Sequence, residues 1–538
     1  MAKEAGVPIL PLALREYLPP SLWEQLQTEP GRRGLLLDAL NILQSLLYLL
    51  STYLPPPLVE RLKRDPVPGR VTAEVLEGSL LFADVSGFTA LSERLAGEGN
   101  AGIEALTGHL NDYFDTMVQI LARSDGALLK FAGDALLAYF PSQDAGRHAQ
   151  WAARAAHRMM RAMHAFAALE APGGPIALRM KIGLASGLFI AATVGAPARM
   201  EYVLLGETVA RTLALEGTLS AGQIGVDAAT AALLDPAQVL PHVNAFSLLA
   251  PASAEDRADF EIRPETQRRP RSSGLLMAPH EELYVHLEVA LRQLETLRAF
   301  LPDSLNAALL AYASQRQLPA ENRPAASIFF NLTGIESLWD PAEPATVSRT
   351  LAALDACFRA VESCVARYGG IISRIDPYRT GSKIFALFGA PTAHEDDPLR
   401  AVRAALEAQA ALADLRARWD WDVALRAGIA YGPTFAGPVG AAIRREYTLM
   451  GDDVNLAARL MGAAQPGQIL VAPAVAASVQ TIVALKPLAP LQLKGKREPV
   501  PVSAVEGLRR DPLLHRLALR GPLVGRNEPL ARARRVVV

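Results

Sequence analysis

The chain has 538 residues, half of them hydrophobic, which allows three or four domains with large buried cores and argues against extended disorder. Its formal net charge is −1 and no dense Lys/Arg stripe interleaves with aromatic residues, so nucleic acid is not an expected partner. The two cysteines, Cys357 and Cys364, share one face of a helical pattern and read as small core residues in a reducing compartment rather than as a disulfide or metal pair.

At the N-terminus there is no charged start, short apolar run and small-residue cleavage site, so a signal peptide is not expected and a cytoplasmic location is. Gly34 to Leu54 is apolar and long enough to span a bilayer, but Asp38, Asn41, Ser45, Tyr48 and Thr52 recur as a polar stripe, which predicts a packing helix and no transmembrane segment. Residues 1–75 form a helical leader with breaks at Pro19-Pro20 and Pro55-Pro-Pro57. A first α/β module follows over 76–265, where Ser79–Ala83, Ala135–Phe140 and Leu178–Ala185 read as strands and Ala149–Leu169 as a helix. The polar, Pro/Arg-rich stretch Arg263 to Gly274 opens a linker and second helical leader over 266–323. A second module covers 324–506, with Pro398–Ala417 helical, and 507–538 begins a further region. Two strand-helix-strand halves per module predict an α/β (α+β) fold, a ferredoxin-like sandwich in each.

The second half repeats the first. Leu80-Leu-Phe-Ala-Asp-Val-Ser-Gly-Phe-Thr89 is answered by Ser327-Ile-Phe-Phe-Asn-Leu-Thr-Gly-Ile-Glu336, and Arg199-Met-Glu-Tyr-Val-Leu-Leu-Gly206 by Arg444-Arg-Glu-Tyr-Thr-Leu-Met-Gly451. The leaders also match, Tyr53-Leu-Pro against Phe300-Leu-Pro. A nearly constant offset across most of the chain means duplication. The copies have lost complementary parts: Asp84 is matched by Asn331, whereas Asn455 and Arg459 are matched by Ala210 and Ala214. Such a site must lie between the halves, where a pseudo-twofold axis creates two unequal pockets.

Asp84 follows an apolar strand and precedes Ser86-Gly87, and Asp134 follows Gly133 before another apolar strand. Two carboxylates at strand edges beside glycine turns can converge on hard cations, which favour oxygen ligands and leave positions for phosphate oxygens. Asn455 and Arg459 stand four apart on one helix face, an amide suited to a sugar and a permanently charged fork suited to phosphoryl oxygens.

Together Phe82-Ala-Asp-Val-Ser-Gly-Phe-Thr89, Lys130-Phe-Ala-Gly-Asp134 and Glu446 to Arg459 resemble the class III nucleotidyl cyclases, and the tandem resembles the soluble, bicarbonate-responsive adenylyl cyclases over roughly 76–506. The resemblance implies two class III cyclase domains forming a pseudo-twofold heterodimer within one chain. It implies that Asp84 and Asp134 hold two Mg²⁺ or Mn²⁺ ions, that Asn455 positions the ribose and that Arg459 stabilises the transition state. It places Arg374 and Thr448 at substrate-binding positions that usually carry Lys and Asp and read the purine; both are departures.

The degenerate pocket is expected to hold Asn331 and Tyr378 in place of metal carboxylates, and to keep Lys130 and Arg199 at positions that resemble a regulatory bicarbonate site. Gly521-Pro-Leu-Val-Gly-Arg-Asn-Glu528 resembles the entry to a C-terminal ATPase domain; no Gly-x-x-x-x-Gly-Lys-Ser/Thr follows before Val538, which suggests truncation. The function expected is adenylyl cyclase, converting ATP to 3′,5′-cyclic AMP and pyrophosphate with bicarbonate as an activator. The alternatives are guanylyl cyclase, or an idle nucleotide- or anion-sensing module regulating the ATPase.

Overall fold

The computed structural model describes residues 10–88, 91, 94–95, 100–142, 146–241, 246–251, 280–311, 321–340, 343–419, 421–493 and 498–509. The linker Arg263 to Gly274 and the tail Gly521 to Glu528 lie outside the described residues.

Three helices open the chain: α1 (Pro20–Thr28), α2 (Arg33–Ser51) and α3 (Pro56–Arg64). Prolines start the first and third, where a missing N–H costs no intrahelical bond. The first module follows as β1 (Thr72–Ser86), α4 (Asn100–Ala122), β2 (Ala127–Ala132), β3 (Ala135–Pro141), α5 (Arg147–Ala162), β4 (Arg179–Ala196), β5 (Arg199–Leu205) and α6 (Glu207–Thr218). It ends in β6 (Ile224–Val226), α7 (Ala228–Ala232), β7 (Val239–Pro241) and β8 (Ser247–Leu249). After α8 (His280–Arg298) and α9 (Asp303–Ala311), the second module runs β9 (Glu321–Thr333), α10 (Pro344–Arg367), β10 (Ile371–Tyr378), β11 (Gly381–Phe388), α11 (Asp397–Trp419), β12 (Ala424–Ala441), β13 (Arg444–Met450) and α12 (Asp452–Ala463). It closes with β14 (Ile469–Val471), α13 (Pro473–Val479), β15 (Val483–Leu491) and β16 (Val500–Leu508).

The two sheets repeat one topology. The first has the order β2-β3-β1-β4-β6-β8-β7 with β5 paired to β4, and the second β10-β11-β9-β12-β14-β16-β15 with β13 paired to β12. The central 2-3-1-4 order, antiparallel except where β4 meets β6, is the predicted ferredoxin-like plan with strands added at one edge. Helices bury one face of each sheet, and Cys357 and Cys364 are free and buried in that core of the second module. The strands outrun the expected spans: β1 continues to Ser86 and carries Asp84 past the apolar stretch, while α5 stops at Ala162 and a 3₁₀ turn, Met163–Phe166, takes over.

The modules pair across the pseudo-twofold axis through their hairpins, β4–β5 packing on α10 and β12–β13 on α4, and matched hydrogen bonds lock the pairing. Gly195 N–H in the β4–β5 hairpin donates to Asp355 Oδ1 on α10 (2.7 Å), and Gly440 N–H in the β12–β13 hairpin donates to Asn111 Oδ1 on α4 (3.2 Å). Pairing of the modules within one chain is thus built from exchanged hairpins. The leaders cap this arrangement. α2 packs on α8 through a stripe that includes Leu36, Leu43 and Leu47, against Leu287, Leu291 and Leu294. Arg33–Ser51 is long and apolar enough to cross a membrane by length and composition, and half of its most apolar stretch is buried in the protein.

Each leader end is bonded to one module's β-hairpin. Arg445 N–H donates to the Thr52 carbonyl and Met200 N–H to the Ala299 carbonyl, both at 2.6 Å. Beside them Arg444 donates to the Tyr53 carbonyl (3.0 Å) and Arg199 to the Phe300 carbonyl (3.1 Å), so the first leader grips the second module and the second leader the first.

Candidate active site

Asp84 sits near the end of β1, opposite Lys181 on β4. Asp134 occupies the tight β2–β3 turn behind Gly133, whose φ of 78° suits a residue without a Cβ. The Asp84 carboxyl is pushed up to about 8, first by burial, then by the charges of Asp134 and Glu216 and a hydrogen bond with Glu216; Lys181 opposes the shift. Lys181 itself pairs with Glu216 on α6 at 2.5 Å. Sequence reasoning missed Lys181 and Glu216, because neither belongs to a local motif and only the β1–β4 pairing and the return of α6 bring them to Asp84.

The two half-buried carboxylates Asp84 and Asp134, whose burial and like charges raise the proton affinity of Asp84, fit a hard cation: a divalent ion would offset their repulsion, with substrate oxygens completing its shell. Among the described residues no group of three or more His, Cys, Asp or Glu side chains forms a complete ligand set.

In the second module the equivalent place is spent. Asn331 is fully buried; its Oδ1 accepts from Arg426 Nε (2.9 Å) and its Nδ2 donates to the Thr380 carbonyl (2.7 Å). Strand register corrects one sequence expectation. Ala83 pairs with Leu136 and Phe330 with Ile384, so the residue opposite Asp134 in the repeat is Ser382 and not Tyr378. The second hairpin is longer, with Tyr378 two residues beyond Asp376, the counterpart of Ala132 at the end of β2, and its hydroxyl facing Gly462.

Asn455 and Arg459 lie one turn apart on α12, Asn455 exposed and Arg459 half-buried with one terminal nitrogen buried and unpartnered. Arg374 and Thr448 are brought together: the guanidinium donates to Thr448 Oγ1 (2.8 Å) and Glu446 Oε1 (2.8 Å), and through Nε to Asp376 Oδ2 (2.9 Å), above the Phe385 ring. Lys130 and Arg199 are brought together too, on the two oxygens of Glu201, each at 3.0 Å. All three are buried, so the two cations already share a carboxylate. Register makes these triads counterparts, Lys130-Arg199-Glu201 in one module and Arg374-Arg444-Glu446 in the other, and residues of both line a cavity on the axis closed by Tyr53, Leu54, Phe300 and Leu301.

Comparison with known proteins agrees with this arrangement. The family described as adenylate and guanylate cyclase catalytic domain matches residues 72–250 and 318–503. Adenylate cyclase type 10 of Oryctolagus cuniculus is 26% identical over 405 residues, and that of Homo sapiens 25%; each alignment covers 73% of this chain and 24% of the relative, so the chain spans about a quarter of their length. Adenylate cyclase 1 of Rhizobium meliloti is 30% identical over 142 residues, 26% of this chain and 20% of that protein. A solved class III adenylyl cyclase-like ATP-binding protein from Pseudomonas aeruginosa shares the fold with a TM-score of 0.51 at 14% identity, covering 79% of this chain and 93% of that one. With two matched segments that fill most of its length, the chain belongs to the adenylate and guanylate cyclase catalytic domain family, in tandem form.

Proposed function

We propose that the protein is an adenylyl cyclase with one composite site, converting ATP to 3′,5′-cyclic AMP and pyrophosphate. The observation that carries this reading is the complementarity of the modules: the carboxylates Asp84 and Asp134 stand only in the first, where the second has Asn331 and Ser382, and the amide of Asn455 and guanidinium of Arg459 stand only in the second, where the first has Ala210 and Ala214. Asp84 and Asp134 would hold Mg²⁺ or Mn²⁺, which when bound lowers the pKa of the ribose 3′-hydroxyl and offsets triphosphate charge. Asn455 would orient the ribose so that its 3′-oxygen lies in line with the α-phosphorus. Arg459, with a buried donor awaiting an acceptor, would meet the charge that develops there. The protein's share is positioning and electrostatics, because the bond that forms and the bond that breaks both belong to the nucleotide.

Bicarbonate regulation through Lys130 and Arg199 belongs to the same reading under one condition: the anion has to compete with Glu201, which both cations already hold. The name of the type 10 relatives supports ATP as substrate; GTP is the alternative outcome of the test. That test measures kcat/KM for both nucleotides with Mn²⁺: preference for ATP with pyrophosphate release is expected, and preference for GTP or no turnover would refute the assignment.

A further inference from the structure

Strand register sets a cation directly across from the residue at the end of each central strand. In the first module Asp84 on β1 faces Lys181 on β4, and in the second Asn331 on β9 faces Arg426 on β12. Residues directly opposed in an antiparallel pair carry their side chains on one face, about 5 Å apart at Cβ, so either cation can reach across. Only one of them closes on its neighbour. Arg426 Nε donates to Asn331 Oδ1 at 2.9 Å, whereas Lys181 Nζ turns to Glu216 Oε1 at 2.5 Å.

The helix that packs behind these strands accounts for the difference. Glu216 on α6 stands two residues after Ala214, and its counterpart on α12, two residues after Arg459, is Met461, apolar and fully buried. Where the helix offers no carboxylate, the cation takes the strand residue; where it offers Glu216, the cation is drawn off. Lys181 and Glu216 are both largely buried, so water screens the pair little. Lys181 accordingly counts least among the groups that act on the Asp84 carboxyl, while Glu216 shares a hydrogen bond with it.

An ammonium seated on Asp84 would cancel the charge that a hard cation needs and occupy the same oxygens. We propose that Glu216 is a positioning residue of the metal site: by holding the Lys181 ammonium, it keeps Asp84 available to a divalent cation. The proposal rests on the cyclase reading above and adds to it a residue that acts through Lys181 rather than on the substrate.

The experiment measures Mn²⁺ binding to the full chain without nucleotide, by loss of the free-ion EPR signal at fixed pH and ionic strength. Wild type, Glu216→Gln, Lys181→Met and the double variant are compared, with a melting temperature recorded for each. In the wild-type background Glu216→Gln is expected to weaken Mn²⁺ binding by about tenfold, because the freed ammonium moves onto Asp84. In the Lys181→Met background the same substitution is expected to cost less than about twofold, a non-additivity that a residue acting through Lys181 requires. An equal loss in both backgrounds would make Glu216 a metal ligand or a remote charge and overturn the proposal, as would unchanged affinity in a folded Glu216→Gln. Failure of the wild type to bind Mn²⁺, or binding unaffected by Asp84→Asn, would overturn the metal assignment itself, which separates the two failures. Should Glu216→Gln melt below the assay temperature, Glu216→Met, which copies the second module, carries the same comparison.

Discussion

Arg374 donates to Thr448 Oγ1 at 2.8 Å, and both residues are buried. The bond belongs to a larger set in which Arg374 also holds Glu446 and Asp376, so its first role is to neutralise two carboxylates in the interface. Arg374→Ala would leave the fully buried Asp376 with only Lys383 at 3.7 Å and take from Glu446 its hydrogen-bonded cation, at a cost of about 3–5 kcal/mol. Thr448→Val removes one hydrogen bond and should cost about 1 kcal/mol. Urea denaturation of the two variants checks the contrast; equal stability of Arg374→Ala and wild type would contradict the network.

Proton linkage at Asp84 gives a second expectation. Its folded pKa is raised to about 8 while the unfolded value is ordinary, so between roughly pH 4 and 8 the metal-free folded state binds the extra proton and stability from this group falls as pH rises. Metal binding must displace that proton. The Mn²⁺ midpoint, followed by thermal shift, should move to lower concentration from pH 6.5 to 8.5, and Asp84→Asn in EDTA should melt above wild type at pH 9. A pH-independent midpoint would remove Asp84 from the metal site.

Arg459 carries a donor with no acceptor among the described residues, so its removal should spare the fold. Arg459→Ala is expected to lose on the order of 10²–10³ in turnover, the usual penalty for a preorganised charge-stabilising donor, with a melting temperature near that of wild type. Single-turnover rates measure this; a purely KM effect would mean ground-state binding only.

Because Lys130 and Arg199 share Glu201, freeing them should expose anion binding. Glu201→Gln is expected to melt below wild type and to be stabilised more strongly than wild type by bicarbonate at fixed pH and ionic strength. Identical bicarbonate responses in melting temperature would leave these cations a structural role only.

The duplication, the strand-helix alternation and the positions of Asp84, Asp134, Asn455 and Arg459 were legible in the sequence because each rests on local pattern or on repeat register. What escaped depends on pairing between distant segments. Glu216 reaches Asp84 only through α6, Lys181 only through the β1–β4 ladder, and Ser382 takes the place expected for Tyr378 because the β10–β11 hairpin extends further than β2–β3. The exchange of leaders, with Thr52 bonded to Arg445 and Ala299 to Met200, is equally invisible in either segment alone.

The central claim is that one chain builds one site from unequal halves. Cyclic AMP formation from ATP with Mn²⁺, measured for wild type, Asp84→Asn, Arg459→Ala and an equimolar mixture of the two variants, tests it most directly. The account predicts turnover by wild type, a loss of at least about 100-fold in each variant and no recovery on mixing. Wild-type turnover by either variant, or recovery in the mixture, would contradict it.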